Sequence, residues 1–214
     1  MRLRKVQGAE EKIENSPFCI KDPADRKGRW REAFPKPGPI HIEIGMGKGR
    51  FLMEKAHTFP DINFIGLELH ESVLVRGVEK QEGAQLPNIL FLRENAEYIE
   101  DFFAPSELSR IYLNFSDPWP KDRHKKRRLT GSVFLARYDR LLPAGGSVEF
   151  KTDNRDLFDF SVEEAENSPF RIDALSYDLH KDPVLSVGNV LTEYEERFSS
   201  KGNPICYMRL VKGE

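Results

Sequence analysis

Ile40-His-Ile-Glu-Ile-Gly45-Met-Gly47-Lys-Gly49-Arg-Phe-Leu52 is the stretch on which the fold turns. Ile40 to Ile44 reads as a short apolar strand. Three alternate glycines then break it, and Phe51, Leu52 and Ala56 follow on a predicted helix. A strand that passes through a glycine turn straight into a helix is the opening of an α/β unit.

The same alternation continues downstream. Ile62 to Leu69 is a second strand, residues 71–82 are helical, and Asn88 to Leu92 is a third strand ending in Arg93-Glu94-Asn95. A short helix over about 97–103 precedes a fourth strand, Arg110 to Phe115. Thr130 is a good N-cap for a helix whose Phe134, Tyr138, Leu141 and Leu142 share one face. Pro143-Ala-Gly-Gly146 is a turn, Ser147 to Lys151 a fifth strand, and residues 155–166 a helix. Two longer strands, about 170–179 and 204–211, close the chain without a long helix between them. Strands alternating with helices predict a mostly parallel sheet with helices on both faces, and the last two strands predict an antiparallel pairing near one edge.

Upstream, Phe34-Pro-Lys-Pro-Gly-Pro39 is a break. Residues 1–30 carry scattered charge and little periodicity, which predicts a partly ordered arm with Arg2, Arg4 and Lys5 available for phosphate contacts. Residues 31–214 are expected to form one domain.

Composition bounds the function. Of 214 residues 39% are hydrophobic and 32% charged, the profile of a folded soluble chain. No apolar run nears the roughly 20 residues that span a bilayer, and no apolar stretch follows the basic N-terminus as in a secretory signal. Cys19 and Cys206 read as reduced thiols of a cytoplasmic protein, and no cluster has metal-ligand spacing. The net charge of −2 hides one concentrated segment, Lys121-Asp-Arg-His-Lys-Lys-Arg-Arg128, with six Lys and Arg against one acid. Such a segment binds a polyanion locally, or else is a solvated face.

The glycine loop is not a dinucleotide fingerprint, because the third glycine of that pattern would fall on Arg50. Glu43, just before Gly45, suits an ammonium and would repel a pyrophosphate. Glu68 ends the second strand 23 residues after Gly45, where an acid accepts ribose hydroxyls. Asn95, after the third strand, offers an amide oxygen to the amine of adenine. Glu43, Gly45, Gly47, Glu68 and Asn95 together describe a ligand with an amino-acid end, a ribose and an adenine, which fits S-adenosylmethionine. The plainer reading is a glycine turn with solvated polar caps.

Asn114-Phe-Ser-Asp117-Pro-Trp-Pro120 follows the fourth strand and runs into the basic segment. Two prolines around Trp119 make a stiff turn with a large exposed ring, which suits stacking on a base. Asp153 reads either as a helix cap or as a binding acid, Glu193 and Glu195 as a solvated face or as binding acids, and Lys151 and Thr152 either way.

His41 to Gly49, Asn114 to Lys121 with Arg123 to Leu129, Phe150-Lys-Thr-Asp-Asn154, and Thr192-Glu-Tyr-Glu195 resemble the bacterial tRNA (guanine-N7)-methyltransferase family. The resemblance runs from about residue 40 to 210. It implies a Rossmann-like class I methyltransferase fold with a seven-stranded sheet, and methyl transfer from S-adenosylmethionine to a variable-loop guanine of tRNA. It assigns cofactor contacts to Glu43, Glu68, Asn95 and Asp117, and the catalytic role to Asp117. Lys121, Asp153, Thr192, Glu193, Tyr194 and Glu195 match substrate-binding positions. Arg123, His124, Lys125, Lys126, Arg127 and Arg128 match the RNA-contacting segment. The family usually has Asp where this chain has Asn95, and Asn keeps the acceptor oxygen.

Guanine N7 has a lone pair and no proton, so its attack on the methyl needs alignment and electrostatic support rather than a general base. Asp117 then either favours the cation developing on the base or holds the methionine ammonium. Rival readings are an amino-methyltransferase acting on DNA or protein, a non-catalytic RNA-binding module and, least favoured, an NAD oxidoreductase. A monomer and a homodimer both suit such a domain, and no metal is implied.

Overall fold

The computed structural model describes residues 6–213. The chain divides between Ala104 and Pro105 into two compact units.

The first unit holds β1 (Ile40–Ile44), β2 (Asn63–Leu67) and β3 (Ile89–Leu92). β1 pairs with β2 and β2 with β3, both parallel. All three strands are buried along their full length. Burial on both faces accounts for the unbroken apolar run of β3, while β1 alternates its isoleucines with His41 and Glu43, both of them buried. α2 (Arg50–Thr58) and α3 (Glu71–Ala84) are the crossovers. The arm expected over residues 1–30 holds α1 (Ala9–Asn15) and the 3-10 turn Pro23–Arg26 among its described residues, and a second 3-10 turn, Trp30–Ala33, follows. Single anchors achieve this where periodicity is absent. Trp30 is fully buried, donates its indole N–H to Phe102 O at 2.7 Å and stacks on Phe103. Phe18 and Ile20 bond the two backbone groups of Phe91 in β3. Arg2, Arg4 and Lys5 lie outside the described residues.

The second unit holds β4 (Arg110–Asn114) parallel to β5 (Ser147–Thr152), with β7 (Cys206–Lys212) antiparallel to both β5 and β6 (Phe170–Ser176). α5 (Ser132–Leu141), α6 (Arg155–Glu166) and α7 (Glu193–Ser199) complete it. The strand order is β3-β2-β1-β4-β5-β7-β6, the seven-stranded, mostly parallel sheet that was expected. Both thiols are free and buried, and burial raises each pKa, that of Cys19 to about 11. Among the described residues no helix is long and apolar enough to cross a membrane.

Thr130 is not the cap of α5. The helix starts two residues later with Gly131 at the cap position, and Glu164 of α6 accepts from the Ser132 amide. The buried Thr130 hydroxyl instead bonds Ser161 Oγ at 2.6 Å. A capping threonine and a core threonine look alike in sequence, because both precede an apolar stripe.

Met46 wedges the glycine loop against the fold. Met46 is buried between β2 and α3, and two glycines make room for it. A Cβ at Gly66 would lie 2.1 Å from Met46 Sδ, and one at Gly77 would lie 2.6 Å from Met46 Cε. Gly66→Ala is therefore expected to destabilise the protein by about 1–3 kcal/mol through overpacking. Adding Met46→Ala should recover part of that loss. The midpoint of urea unfolding reads both effects, and a midpoint unchanged in Gly66→Ala would contradict the wedge.

Candidate functional site

In the first unit Glu43, Gly45, Gly47 and Glu68 lie at the loop after β1 or bond to it. Gly45, Gly47 and Gly49 all have positive φ, the left-handed conformation that favours glycine. Gly45 and Met46 donate to Leu67 O at 2.8 and 3.2 Å, which closes the loop onto the end of β2. Glu68, buried to 8% exposure, accepts from Gly47 N at 3.1 Å through Oε2 and from His70 N at 3.0 Å through Oε1. One carboxylate thus joins the glycine loop to the start of α3. Each of its oxygens keeps a second lone pair for a ligand hydroxyl. Glu43 is 1% exposed at the end of β1. A Cβ built on Gly45 or Gly47 meets no protein atom within 4 Å, so the loop has open space against its backbone.

Asn95 stands after β3. Its Oδ1 accepts from Glu97 N at 3.0 Å and caps the 3-10 turn Ala96–Tyr98. That bond takes one of the two acceptor positions on the oxygen, and the other is left for a donor such as an adenine amine. A glycine loop with open space on one side, two buried carboxylates and a half-buried amide acceptor fits a ligand carrying an ammonium, a ribose and an adenine.

The second unit carries the loop after β4. Phe115 N donates to Lys151 O at 2.8 Å, and Phe115 and Trp119 both have positive φ. A non-glycine residue occupies that region only where its surroundings hold it. Asp117 is exposed, and among the described residues nothing pairs with its carboxylate. Trp119 is half-buried rather than openly exposed. The Arg127 guanidinium lies 4.9 Å from its ring centre, and His124 meets it edge-on at 5.6 Å. Lys121 is exposed just before a 3-10 helix, Asp122–Arg127, and Arg123, Lys125, Lys126 and Arg127 are exposed on it. His124 and Arg128 are half-buried. His124 faces Arg123 Nε at 3.3 Å through Nε2, and Lys125 pairs with Asp122 at 3.2 Å.

Asp153 is not a helix cap. Asn154 caps α6, accepting from Leu157 N at 2.8 Å, while Asp153 Oδ2 accepts from the Tyr194 hydroxyl at 3.1 Å. Burial and the nearby Asp153 charge raise the pKa of that phenol, which keeps it a donor. Tyr194 also stacks on Phe198 at 4.1 Å and contacts Phe115 at 4.9 Å. The start of the Asp117 loop, Asp153 and α7 thereby come together within this unit.

Glu193 is exposed, but Glu195 is fully buried, so the two acids do not share a solvated face. Thr192 and Glu195 form a capping box at the start of α7. Glu195 Oε2 meets Lys151 Nζ at 2.5 Å, and Oε1 faces Asn189 Nδ2 at 2.7 Å and His180 Nε2 at 3.1 Å. Lys151 Nζ also donates to Val190 O at 2.9 Å and Asn189 Oδ1 at 3.2 Å. Lys151 ties Glu195 of α7 to β5, and Asn189 and His180 meet the same carboxylate; of the three only Lys151 was singled out in the sequence, where its role was open.

The family model described as "Putative methyltransferase" matches residues 37–208. The tRNA (guanine-N(7)-)-methyltransferase of Lachnoclostridium phytofermentans is 56% identical over 96% of this chain and 95% of its own length. That of Bacillus subtilis is 46% identical over 96% of each chain. Among solved structures, "Structure of an Antibiotic Related Methyltransferase" aligns with a TM-score of 0.64 at 19% identity, over 93% of this chain and 98% of that one. "Crystal Structure of 16S rRNA Methyltranferase KamB" aligns at 0.65 and 13%, over 87% and 94%. At those identities the structural likeness speaks for the fold.

Proposed function

We propose that this chain, which belongs to the tRNA (guanine-N7)-methyltransferase family, transfers the methyl group of S-adenosylmethionine to N7 of a variable-loop guanine in tRNA. The observation that carries this reading is a near-full-length likeness to relatives bearing that name. The local geometry supports it with a ligand-ready glycine loop in one unit and an unpaired carboxylate before a basic segment in the other.

When bound, S-adenosylmethionine supplies an electrophilic methyl on a sulfonium. Glu43 and the backbone of Gly45 and Gly47 hold the amino-acid end, Glu68 the ribose, and Asn95 the adenine amine. Asp117 supports positive charge, either on the cofactor ammonium or on the base as it becomes a cation. No side chain is asked to remove a proton, because N7 has none. Asp153 and Glu193 accept from guanine N1 and N2, and Thr192 and Tyr194 shape that pocket. Glu195, whose two oxygens are engaged inside the fold, serves that pocket by holding α7 in place. Lys121 and the exposed cations of 123–127 hold the tRNA backbone, so binding should weaken steeply with salt. The protein acts in the cytoplasm, as a monomer or homodimer.

A transcript carrying 7-deazaguanine at the target position tests the reacting atom, since carbon replaces N7 and base pairing is kept. Binding should match that of the guanine transcript while methyl transfer disappears. Transfer that persists on the deaza transcript would show that another atom is methylated.

A further inference from the structure

Arg123 to Arg128 reads in sequence as one phosphate-binding run, yet its last member turns inward. Arg128 Nε donates to Pro118 O at 3.0 Å and Nη2 to Trp119 O at 3.2 Å. Its guanidinium stacks 4.3 Å from the centre of the Phe160 ring of α6. Pro118 and Trp119 directly follow Asp117 in the chain. Pro118 and Pro120 fix their own φ and leave that of Trp119 free. Trp119 nevertheless sits at φ 43°, where a non-glycine residue needs outside support. A planar fork that bonds two successive carbonyls and rests on an aromatic face provides that support. An ammonium on a flexible stem does not.

We propose that Arg128 is a positioning residue for Asp117: its guanidinium holds the Asp117-Pro118-Trp119 turn and does not contact the tRNA backbone. The proposal rests on the tRNA methylation reading and deepens it, by separating one arginine from the exposed Arg123, Lys125 and Lys126 beside it.

Arg128→Ala, Arg128→Lys and Lys126→Ala separate the two roles. A lost phosphate contact lowers the slope of log Kd against log salt by about one. That drop is expected in Lys126→Ala and absent in both Arg128 variants. Turnover at saturating tRNA is expected to fall roughly 10²-fold in both Arg128 variants, the scale of a misplaced reacting group. Lysine keeps the charge, so loss in Arg128→Lys speaks for the fork. A third measurement needs no tRNA. Of the two tryptophans Trp30 is fully buried, so acrylamide quenching reports Trp119. Quenching should increase in both Arg128 variants. A slope lowered by about one in Arg128→Ala, wild-type turnover in Arg128→Lys, or unchanged quenching in both variants would each overturn the proposal. If the wild-type protein does not methylate tRNA, the functional reading falls, and the quenching still decides whether Arg128 holds the turn.

Discussion

Asp117→Ala is expected to lower turnover by roughly 10²–10³-fold, the scale seen when one preorganised electrostatic group is removed from an active site. The carboxylate is exposed and unengaged among the described residues, so its removal breaks no internal contact. The melting temperature should therefore stay close to that of the wild type, which separates a chemical loss from a folding loss. Asp117→Asn keeps the shape and removes the charge, and it should lose most of the same activity. Calorimetric titration with S-adenosylmethionine then distinguishes the two roles of the group. A carboxylate that holds the cofactor ammonium weakens cofactor binding when removed, and one that supports the cation on the base leaves it unchanged. Wild-type turnover in both variants would remove Asp117 from the reaction.

Glu195→Gln is expected to cost about 3–5 kcal/mol of stability, because it leaves a buried ammonium without its counter-charge. Lys151 Nζ and the Glu195 carboxylate meet at 2.5 Å with side chains 5% and 0% exposed. For a chain of this length that cost is a drop in melting temperature of roughly 6–20 °C. Lys151→Met should be destabilising too, for the reverse reason. The double variant Lys151→Met with Glu195→Gln removes both charges and leaves no buried ion without its counter-charge. It should melt above either single variant. A double variant whose loss equals the sum of the two single losses would show that the pair is not coupled. Because Lys151 also bonds Asn189 and Val190, the single variants should loosen the lead into α7 and raise KM for tRNA through Tyr194.

The sheet was legible because short stretches rich in Ile, Leu, Phe and Val alternate with helical segments, and the glycines after β1 mark its turn. The elements that escaped depend on single long-range contacts. Trp30 orders residues whose local pattern is poor, and no local pattern encodes its bond to Phe102. Thr130 and Asp153 both obey the rules for capping residues, and each is displaced from that role by a partner from another element, Ser161 and Tyr194. The candidate site was legible as strand-end acids and a proline-stiffened turn. Its supports were not. Met46 depends on two glycines 20 and 31 residues downstream, and Lys151 finds Glu195 44 residues away. Charge runs are the least legible of all, since Arg128 and Lys126 look equivalent in sequence while one is half-buried on Phe160 and the other is exposed.

The most direct measurement incubates the purified protein with methyl-labelled S-adenosylmethionine and an unmodified tRNA transcript, then digests the RNA and identifies the labelled nucleoside. Label in 7-methylguanosine, lost in Asp117→Ala, is the expected result. Label in any other nucleoside, or none on a transcript that a Bacillus subtilis relative methylates under the same conditions, would contradict it.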